Sequence, residues 1–246
     1  MKEENHNFQS SILSNERNVW IQVPNTVTDQ TGLLVILDAE LYRDRVEAPS
    51  IIEELINKES IEAPLIVYVS HGGVEARWKE CPCYPPFAEF ISGELYPWII
   101  DRYPFVKNEK NRVVMGLSYT GLAASYVALE TTGLFTKVIS QSGSYWSNEC
   151  ELSKNLESSD QNSGIVFFID VGERETDINV QHKEDVFQAV SQIEGVERFR
   201  DALIKIGYDV TYKTFDGGHS PEGWASTLPG AIKWAFPIQS DLSTPR

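Results

Sequence analysis

The sequence predicts an α/β fold, a mostly parallel central sheet with helices on both faces. Two observations carry this expectation. Continuous apolar runs recur along the chain, Leu33–Leu37, residues 64–69 and Arg112–Leu117 among them, and an unbroken apolar run is the pattern of a strand buried on both faces. Between these runs lie segments whose apolar residues fall at helical spacing. Strands that alternate with helices return parallel to one another, because each helix serves as the crossover. The 246 residues suit one domain over residues 1–246, large enough to bury a core without disulfide staples.

The elements follow in order. Residues 8–13 and 18–23 read as an antiparallel hairpin at a sheet edge, split by Ser14-Asn15-Glu16-Arg17 and ended by Pro24-Asn25. Leu33–Leu37 is the first buried strand, residues 51–56 a helix and residues 64–69 the second buried strand. Residues 86–102 carry Phe87, Phe90, Ile91, Leu95, Trp98 and Ile99 at helical spacing, with Pro85-Pro86 suited to the first turn. Arg112–Leu117 is a strand, residues 119–129 an alanine-rich helix, and Lys137–Gln141 and residues 164–171 two more strands. Val196, Phe199, Leu203 and Ile206 form a helical stripe that Gly207 caps. Asp209–Phe215 is the last strand and residues 224–236 the last helix. Residues 70–85 and 143–162 read as insertions.

Whole-chain numbers narrow the function classes. A net charge of −15 repels phosphate backbones, so a nucleic acid is not an expected partner. The three cysteines form no regular framework, and Cys81-Pro-Cys83 has the wrong spacing for the common zinc and redox motifs. No metal and no organic cofactor is expected. The polar, acidic start lacks the basic residues and apolar run of a signal peptide, and no stretch reaches membrane-spanning length, so the cytoplasm is the expected location.

In such a sheet chemistry belongs in the loops beyond the carboxyl ends of the strands. One loop stands out: Gly116-Leu117-Ser118-Tyr119-Thr120-Gly121 runs from an apolar strand into the alanine-rich helix. A serine on a tight strand-to-helix turn has its hydroxyl lifted above the sheet, with the helix N-terminus beside developing negative charge. Thr120 stands where the Gly-x-Ser-x-Gly pattern has its second glycine. The competing reading is an ordinary helix-capping serine.

A hydroxyl nucleophile needs a base, and histidine suits that task near neutral pH. Of the four histidines, His6 lies in a segment expected to fray and His182 in a charged stretch that reads as solvated surface. His219, in Asp216-Gly217-Gly218-His219-Ser220, follows the last strand and fits the chain order serine, acid, histidine. The acid should follow the strand between them. Asp170, Glu173, Glu175 and Asp177 are all candidates, and spacing does not choose among them.

Through these residues the chain resembles the esterase group of α/β-hydrolases that contains enterochelin-type siderophore esterases, feruloyl esterases, esterase D and the mycolyltransferases. The resemblance runs from about Trp20 to Trp234 and rests on local matches. Leu34-Val35-Ile36-Leu37-Asp38-Ala39-Glu40 is similar to a strand ending in Leu-Asp-Gly-Glu. Arg77-Trp78-Lys79-Glu80 and Glu94-Leu95-Tyr96-Pro97-Trp98-Ile99 resemble siderophore-esterase signatures, with Cys81 replacing a leucine. Gly116 to Gly121 is similar to the mycolyltransferase form, in which a small hydroxyl residue also replaces the second glycine. Gly172-Glu173-Arg174-Glu175 resembles the motif that supplies the acid.

The resemblance implies an α/β-hydrolase fold and a serine esterase. It favours Glu175 as the acid, with Asp177 next. It implies an oxyanion hole built from the N–H of Tyr119 and that of Glu40. It makes Arg77 a substrate-facing cation, against a structural pair with Glu80. His71-Gly72-Gly73 resembles a further oxyanion motif, against a turn or pocket role for His71. Trp78, Tyr84 and Tyr119 would offer aromatic surface to catechol rings, or else belong to the core. The expected substrate is a small-molecule ester, a catecholate siderophore trilactone or its ferric complex. The alternatives are a general carboxylesterase of feruloyl or acyl-carbohydrate type, and a non-catalytic binding protein of the same fold.

Overall fold

Leu33–Leu37 (β3) and Leu65–Val69 (β4) are buried at every position, because helices pack on both faces of the strands they form. A computed structural model of the chain describes residues 1–107, 111–157 and 162–238. Among these, eight strands make one sheet in the order β1-β2-β4-β3-β5-β6-β7-β10. The added strands are β1 (Lys2–Ser10), β2 (Asn15–Val23), β5 (Arg112–Leu117), β6 (Lys137–Gln141), β7 (Val166–Gly172) and β10 (Asp209–Phe215). From β4 to β10 all neighbours are parallel, and only β1 and β2 at one edge run antiparallel. This is the α/β-hydrolase type of architecture.

Side chains alternate across each strand, so the sheet divides the core in two. Leu34 and Ile36 of β3 meet α1 (Ala39–Asp44), α2 (Ala48–Asn57) and α9 (Pro221–Ala235). Leu33, Val35 and Leu37 face the other layer, which holds α4 (Pro85–Glu89), α5 (Tyr96–Arg102), α6 (Ser118–Glu130), α7 (Ser147–Glu157) and α8 (Gln192–Lys205). Helix α6 is buried from Tyr119 to Ala128, and its glycine, alanines and serine let it lie close against the sheet.

The sequence expectations need four corrections. The edge hairpin starts at Lys2 and turns at residues 11–14, so His6 lies within β1, its ring edge-on to Trp98 at 5.1 Å. The register pairs polar Lys2 to Asn7 with β2, and polarity is no bar at a half-exposed edge. The helix expected over residues 86–102 is three pieces, α4, a π-helical turn at Phe90–Leu95, and α5. Pro97 has no N–H to give to the carbonyl four residues back, and the wider turn accommodates the gap. The segment at 70–85 carries helix α3 (Val74–Glu80), and that at 143–157 carries α7; residues 158–161 fall outside the described residues. A small hairpin, β8 (Val180–Lys183) with β9 (Val186–Gln188), stands where the sequence reads as charged surface.

Candidate active site

Strand β5 delivers Ser118 to the carboxyl edge of the sheet, and α6 begins at that residue. Ser118 has φ 52°, a left-handed conformation that costs a non-glycine residue on the order of 1–3 kcal/mol. Close packing holds it there. A Cβ on Gly116 would lie 2.0 Å from the Thr120 carbonyl oxygen, and one on Gly121 2.8 Å from Ser140 Oγ. Thr120 tolerates its own side chain because the hydroxyl is used. Its Oγ1 accepts from the Leu117 N–H at 3.1 Å and donates to the Leu117 carbonyl at 2.8 Å, locking the end of β5.

Two further loops meet this serine. His219, beyond β10, places Nε2 2.9 Å from Ser118 Oγ. Glu175, beyond β7, places Oε2 2.6 Å from His219 Nδ1. The acid loop and the histidine loop are joined by backbone bonds, Glu173 N–H to the Phe215 carbonyl and Arg174 N–H to the Gly217 carbonyl, both at 2.9 Å. Glu175 is 5% exposed, and its second oxygen accepts from Ser142 Oγ at 2.6 Å and from the Gly172 N–H at 2.8 Å. Gly172 admits no side chain, since a Cβ would fall 2.5 Å from the Gly217 carbonyl and 2.8 Å from Glu175 Oε1. Of the four candidate carboxylates, Glu175 is the one that meets the imidazole. Asp177 lines the cavity, with its backbone carbonyl held by Gln188. Glu173 accepts from Thr214, and Asp170 is fully buried on β7.

The three side chains open on a cavity of about 360 Å³. Four rings form a closed cycle on its wall. Trp78 meets Tyr119 at 5.0 Å, Tyr119 meets Trp146 at 5.4 Å, His182 stacks on Trp146 at 4.9 Å and 8°, and His182 lies 6.3 Å from Trp78. Burial pushes the Tyr119 hydroxyl up to about 12, so it stays a neutral phenol. Arg77 and Arg174 line the same cavity. Arg77 pairs through Nε with Asp38 Oδ2 at 2.7 Å. Burial works against its charge, but the Asp38 carboxylate, with Cys81 and Tyr119 nearby, more than offsets this and the guanidinium is held more firmly protonated than usual.

The alternative reading of Arg77, a structural pair with Glu80, is not what the structure shows. Glu80 instead binds Arg17 at 2.9 Å, in a pair whose side chains are 6% and 0% exposed. His71 and Glu40 sit together outside the cavity lining. Glu40 Oε2 accepts the His71 N–H at 3.3 Å and lies 3.7 Å from His71 Nε2. Asp38, Glu40 and His71 bring ligand-type atoms within 4.8 Å of one another. That group already holds a cation, Arg77, and His71 Nδ1 is occupied by the Gly73 N–H. The Glu40 N–H lies in the first turn of α1, where amides have no partner within the helix.

A family model described as "Putative esterase" matches residues 10–235. The chain belongs to this esterase family. Among curated relatives, it is 24% identical over 245 residues to the iron(III) enterobactin esterase of Dickeya dadantii, covering 92% of this chain and 53% of that protein. It is 25% identical to the uncharacterized protein YjcH of Bacillus subtilis, covering 92% and 94%. The enterochelin esterase structure from Shigella flexneri superposes with a TM-score of 0.83 at 24% identity, over 96% of this chain and 58% of that one. The chain thus spans little more than half the length of the enterobactin esterases it matches.

Sequence reasoning missed several residues of this esterase-family site. Ser142 holds Glu175, Gln192 holds the Ser142 carbonyl and accepts from Trp146 Nε1 at 2.6 Å, and Ser144 Oγ lies 3.3 Å from Ser118 Oγ. Ser142 and Ser144 follow β6, and their place beyond a strand end was the available signal. His182, read as solvated, borders the cavity through its stack on Trp146. Among the described residues no helix is long and apolar enough to cross a membrane.

Proposed function

We propose that the chain is a serine carboxylic-ester hydrolase in which Ser118 is the nucleophile, His219 the general base and Glu175 the orienting acid. The observation that carries this reading is the continuous contact from Ser118 Oγ to His219 Nε2 at 2.9 Å and from His219 Nδ1 to Glu175 at 2.6 Å. His219 takes the Ser118 proton as Oγ attacks the ester carbonyl, then gives it to the departing alcohol. Water, deprotonated by His219, attacks the acyl-enzyme and releases the acid. The N–H groups of Tyr119 and Glu40 serve the oxyanion, with a single donor worth about 3 kcal/mol of barrier.

The substrate we favour is a catecholate siderophore trilactone or a closely related ester. Relatives named as enterobactin esterases support it, as do the cations Arg77 and Arg174 beside a wall of Trp78, Tyr119 and Trp146. Aromatic faces suit catechol rings, and guanidinium groups suit catecholate oxygens.

Hydrolysis by wild type and Ser118→Ala, on a short-chain aryl ester and on a ferric trilactone, tests both levels. Faster cleavage of the trilactone, lost in Ser118→Ala, supports the whole reading. Cleavage of the aryl ester alone moves the protein to the general carboxylesterases. A folded wild type that cleaves neither and does not react with a fluorophosphonate would be a non-catalytic binding protein.

A further inference from the structure

The loop after β6 reaches both ends of the Ser118–His219–Glu175 relay. Its Ser142 backs the Glu175 carboxylate, and its Ser144 places Oγ 3.3 Å from Ser118 Oγ. The first contact steadies the acid. The second touches the atom that reacts, and a serine–histidine–acid relay does not of itself require it.

The approach of the two hydroxyls is fixed by main chain. The Ser144 N–H donates to the carbonyl of Ser118 itself at 2.9 Å, so the same two residues are joined twice. The loop is held on either side of Ser144. Ser142 is left-handed, with φ 47°, and its N–H donates to the Asp170 carbonyl at 2.9 Å. Its carbonyl accepts from Gln192 Nε2 at 2.5 Å. Gly143 admits no side chain, because a Cβ would fall 2.4 Å from the Tyr145 ring and 2.5 Å from Ser140 Oγ. The Ser144 carbonyl accepts the Ser147 N–H at 3.1 Å. Ser144 is 1% exposed, yet it borders the cavity over Ser118.

The direction of the contact follows from the relay. A carboxylate can only accept, so His219 Nδ1 carries the hydrogen that meets Glu175, and Nε2 of the neutral imidazole is an acceptor. Ser118 therefore uses its one hydrogen on His219, and the hydrogen between the two serines is that of Ser144. At 3.3 Å this contact is long for a hydroxyl pair, whose usual separation is about 2.7–2.8 Å. A hydrogen bond to a charged oxygen is shorter and roughly twice as strong. The contact is thus weak while Ser118 is a neutral alcohol and strengthens as His219 draws the proton away. Only an interaction that gains strength on the way to the transition state accelerates a reaction.

We propose that Ser144 is a further catalytic residue, a fixed hydroxyl donor to Ser118 Oγ. It acts when Oγ carries negative charge, as Oγ attacks the acyl carbon and again as Oγ leaves that carbon in deacylation. The Ser144 proton stays on Ser144 throughout. The proton that moves passes from Ser118 to His219 in the first step and from water through His219 to Ser118 in the second. The proposal rests on the ester-hydrolase reading and adds a donor that serves the nucleophile, whereas the oxyanion hole serves the carbonyl oxygen.

The test is the rate at which a fluorophosphonate modifies Ser118, a reaction that needs only attack by Oγ on phosphorus and departure of fluoride. Wild type, Ser118→Ala, Ser144→Ala and Ser144→Thr are compared across pH, with a thermal melt of each. Ser144→Ala should react about tenfold or more slowly, with the pH profile and the melting temperature of wild type. Ser144→Thr keeps the hydroxyl and should regain most of the rate. Should Ser144→Ala fail to fold, Ser144→Cys takes its place, because a thiol is a weaker donor, and the same slowing is expected. A Ser144→Ala variant as fast as wild type overturns the proposal, as does a folded Ser144→Thr no faster than Ser144→Ala. A shifted pH profile would place the effect on the Glu175–His219 pair and also overturn it. If esters are cleaved, kcat/KM should fall by the same factor for aryl and alkyl leaving groups, since the donor touches Oγ and not the departing oxygen. A loss confined to the poorer leaving group overturns the proposal. A folded wild type that the probe does not modify overturns the hydrolase reading together with this one, whereas a modified wild type with an indifferent Ser144 overturns this one alone.

Discussion

The Ser142 hydroxyl donates to Oε1 of Glu175 at 2.6 Å, on the carboxylate oxygen opposite the one that meets His219. Trp224 Nε1 in turn donates to Ser142 Oγ at 3.1 Å, so the acid is oriented from behind by a fixed hydroxyl. In Ser142→Ala, Glu175 keeps the Gly172 N–H but loses half of its backing. A hydrogen bond to a buried charge is worth about 1.5–3 kcal/mol, so kcat should fall by about tenfold or more with KM nearly unchanged. Steady-state kinetics on an aryl ester would show this, and a fall in KM instead would contradict it.

Replacing the two carboxylates that the sequence left in competition should give very different results. Glu175→Gln removes the charge that meets His219 Nδ1, with an expected loss of about 10³–10⁴ in kcat. Asp177→Asn removes a carboxylate with no contact to the imidazole, and kcat should stay within about threefold, as for a surface change. Comparable losses in both variants would reassign the acid.

The nucleophile turn should fail in two distinguishable ways. Gly116→Ala puts a methyl group 2.0 Å from the Thr120 carbonyl, so the turn must open and both solubility and activity should be lost. Thr120→Val keeps the volume but deletes the bonds to Leu117 N–H and carbonyl, at a cost of about 1–3 kcal/mol. Thr120→Ser should restore most of the lost thermal stability, and a Val variant as stable as wild type would remove the hydroxyl's structural role.

Asp170 gives the fold a pH dependence of unusual sign. It is fully buried, and neither of its carboxylate oxygens has a partner of good hydrogen-bond geometry. Burial pushes the carboxyl up to about 7, helped by the charge of Glu175 and opposed by nearby Thr227. In the unfolded chain it ionises near pH 3.9. Below that value both states are protonated and there is no penalty. As pH rises toward 7 the unfolded chain releases a proton that the folded chain keeps, so stability falls. Asp170→Asn should therefore stabilise the protein at pH 8 by a few kcal/mol, on the order expected for a buried carboxyl, and by nothing at pH 3.5. Denaturant titration at the two pH values measures this, and a variant less stable at pH 8 would contradict it.

The Arg17–Glu80 pair should tolerate no half-removal. Glu80→Gln leaves the Arg17 guanidinium buried with its remaining contacts at Asn15 and the Ser70 carbonyl, and the expected loss is about 3–5 kcal/mol. Arg17→Met with Glu80→Leu should recover much of it. Thermal melts of the two variants decide the matter.

The sheet was legible because its strands announce themselves. Leu33–Leu37 is observed at the limits the sequence suggests because full burial demands an unbroken apolar run, and Asp209–Phe215 because Gly207 and Gly217 bracket it. Ser118 and His219 were legible for the same reason, each lying just beyond a strand. What the sequence hid is what depends on distant chain segments. Ser142 has no local mark of contact with Glu175, thirty-three positions away. The β1 register and the β8–β9 hairpin rest on polar residues whose pairing partners, not their polarity, decide the conformation. His182 looks solvated until Trp146 is brought beneath it.

Strand β10 closes the sheet at one edge, pairing with β7 alone, and most of its side chains are partly or fully exposed. The loop that carries His219 hangs from this rim, whereas Ser118 hangs from β5, deep inside the sheet. Edge elements open locally at lower free-energy cost than central ones. Function and architecture should therefore be lost at different points on a denaturant axis. Peeling of one rim strand would silence the hydroxyl's partner while the bulk of the sheet and its circular-dichroism signal remain.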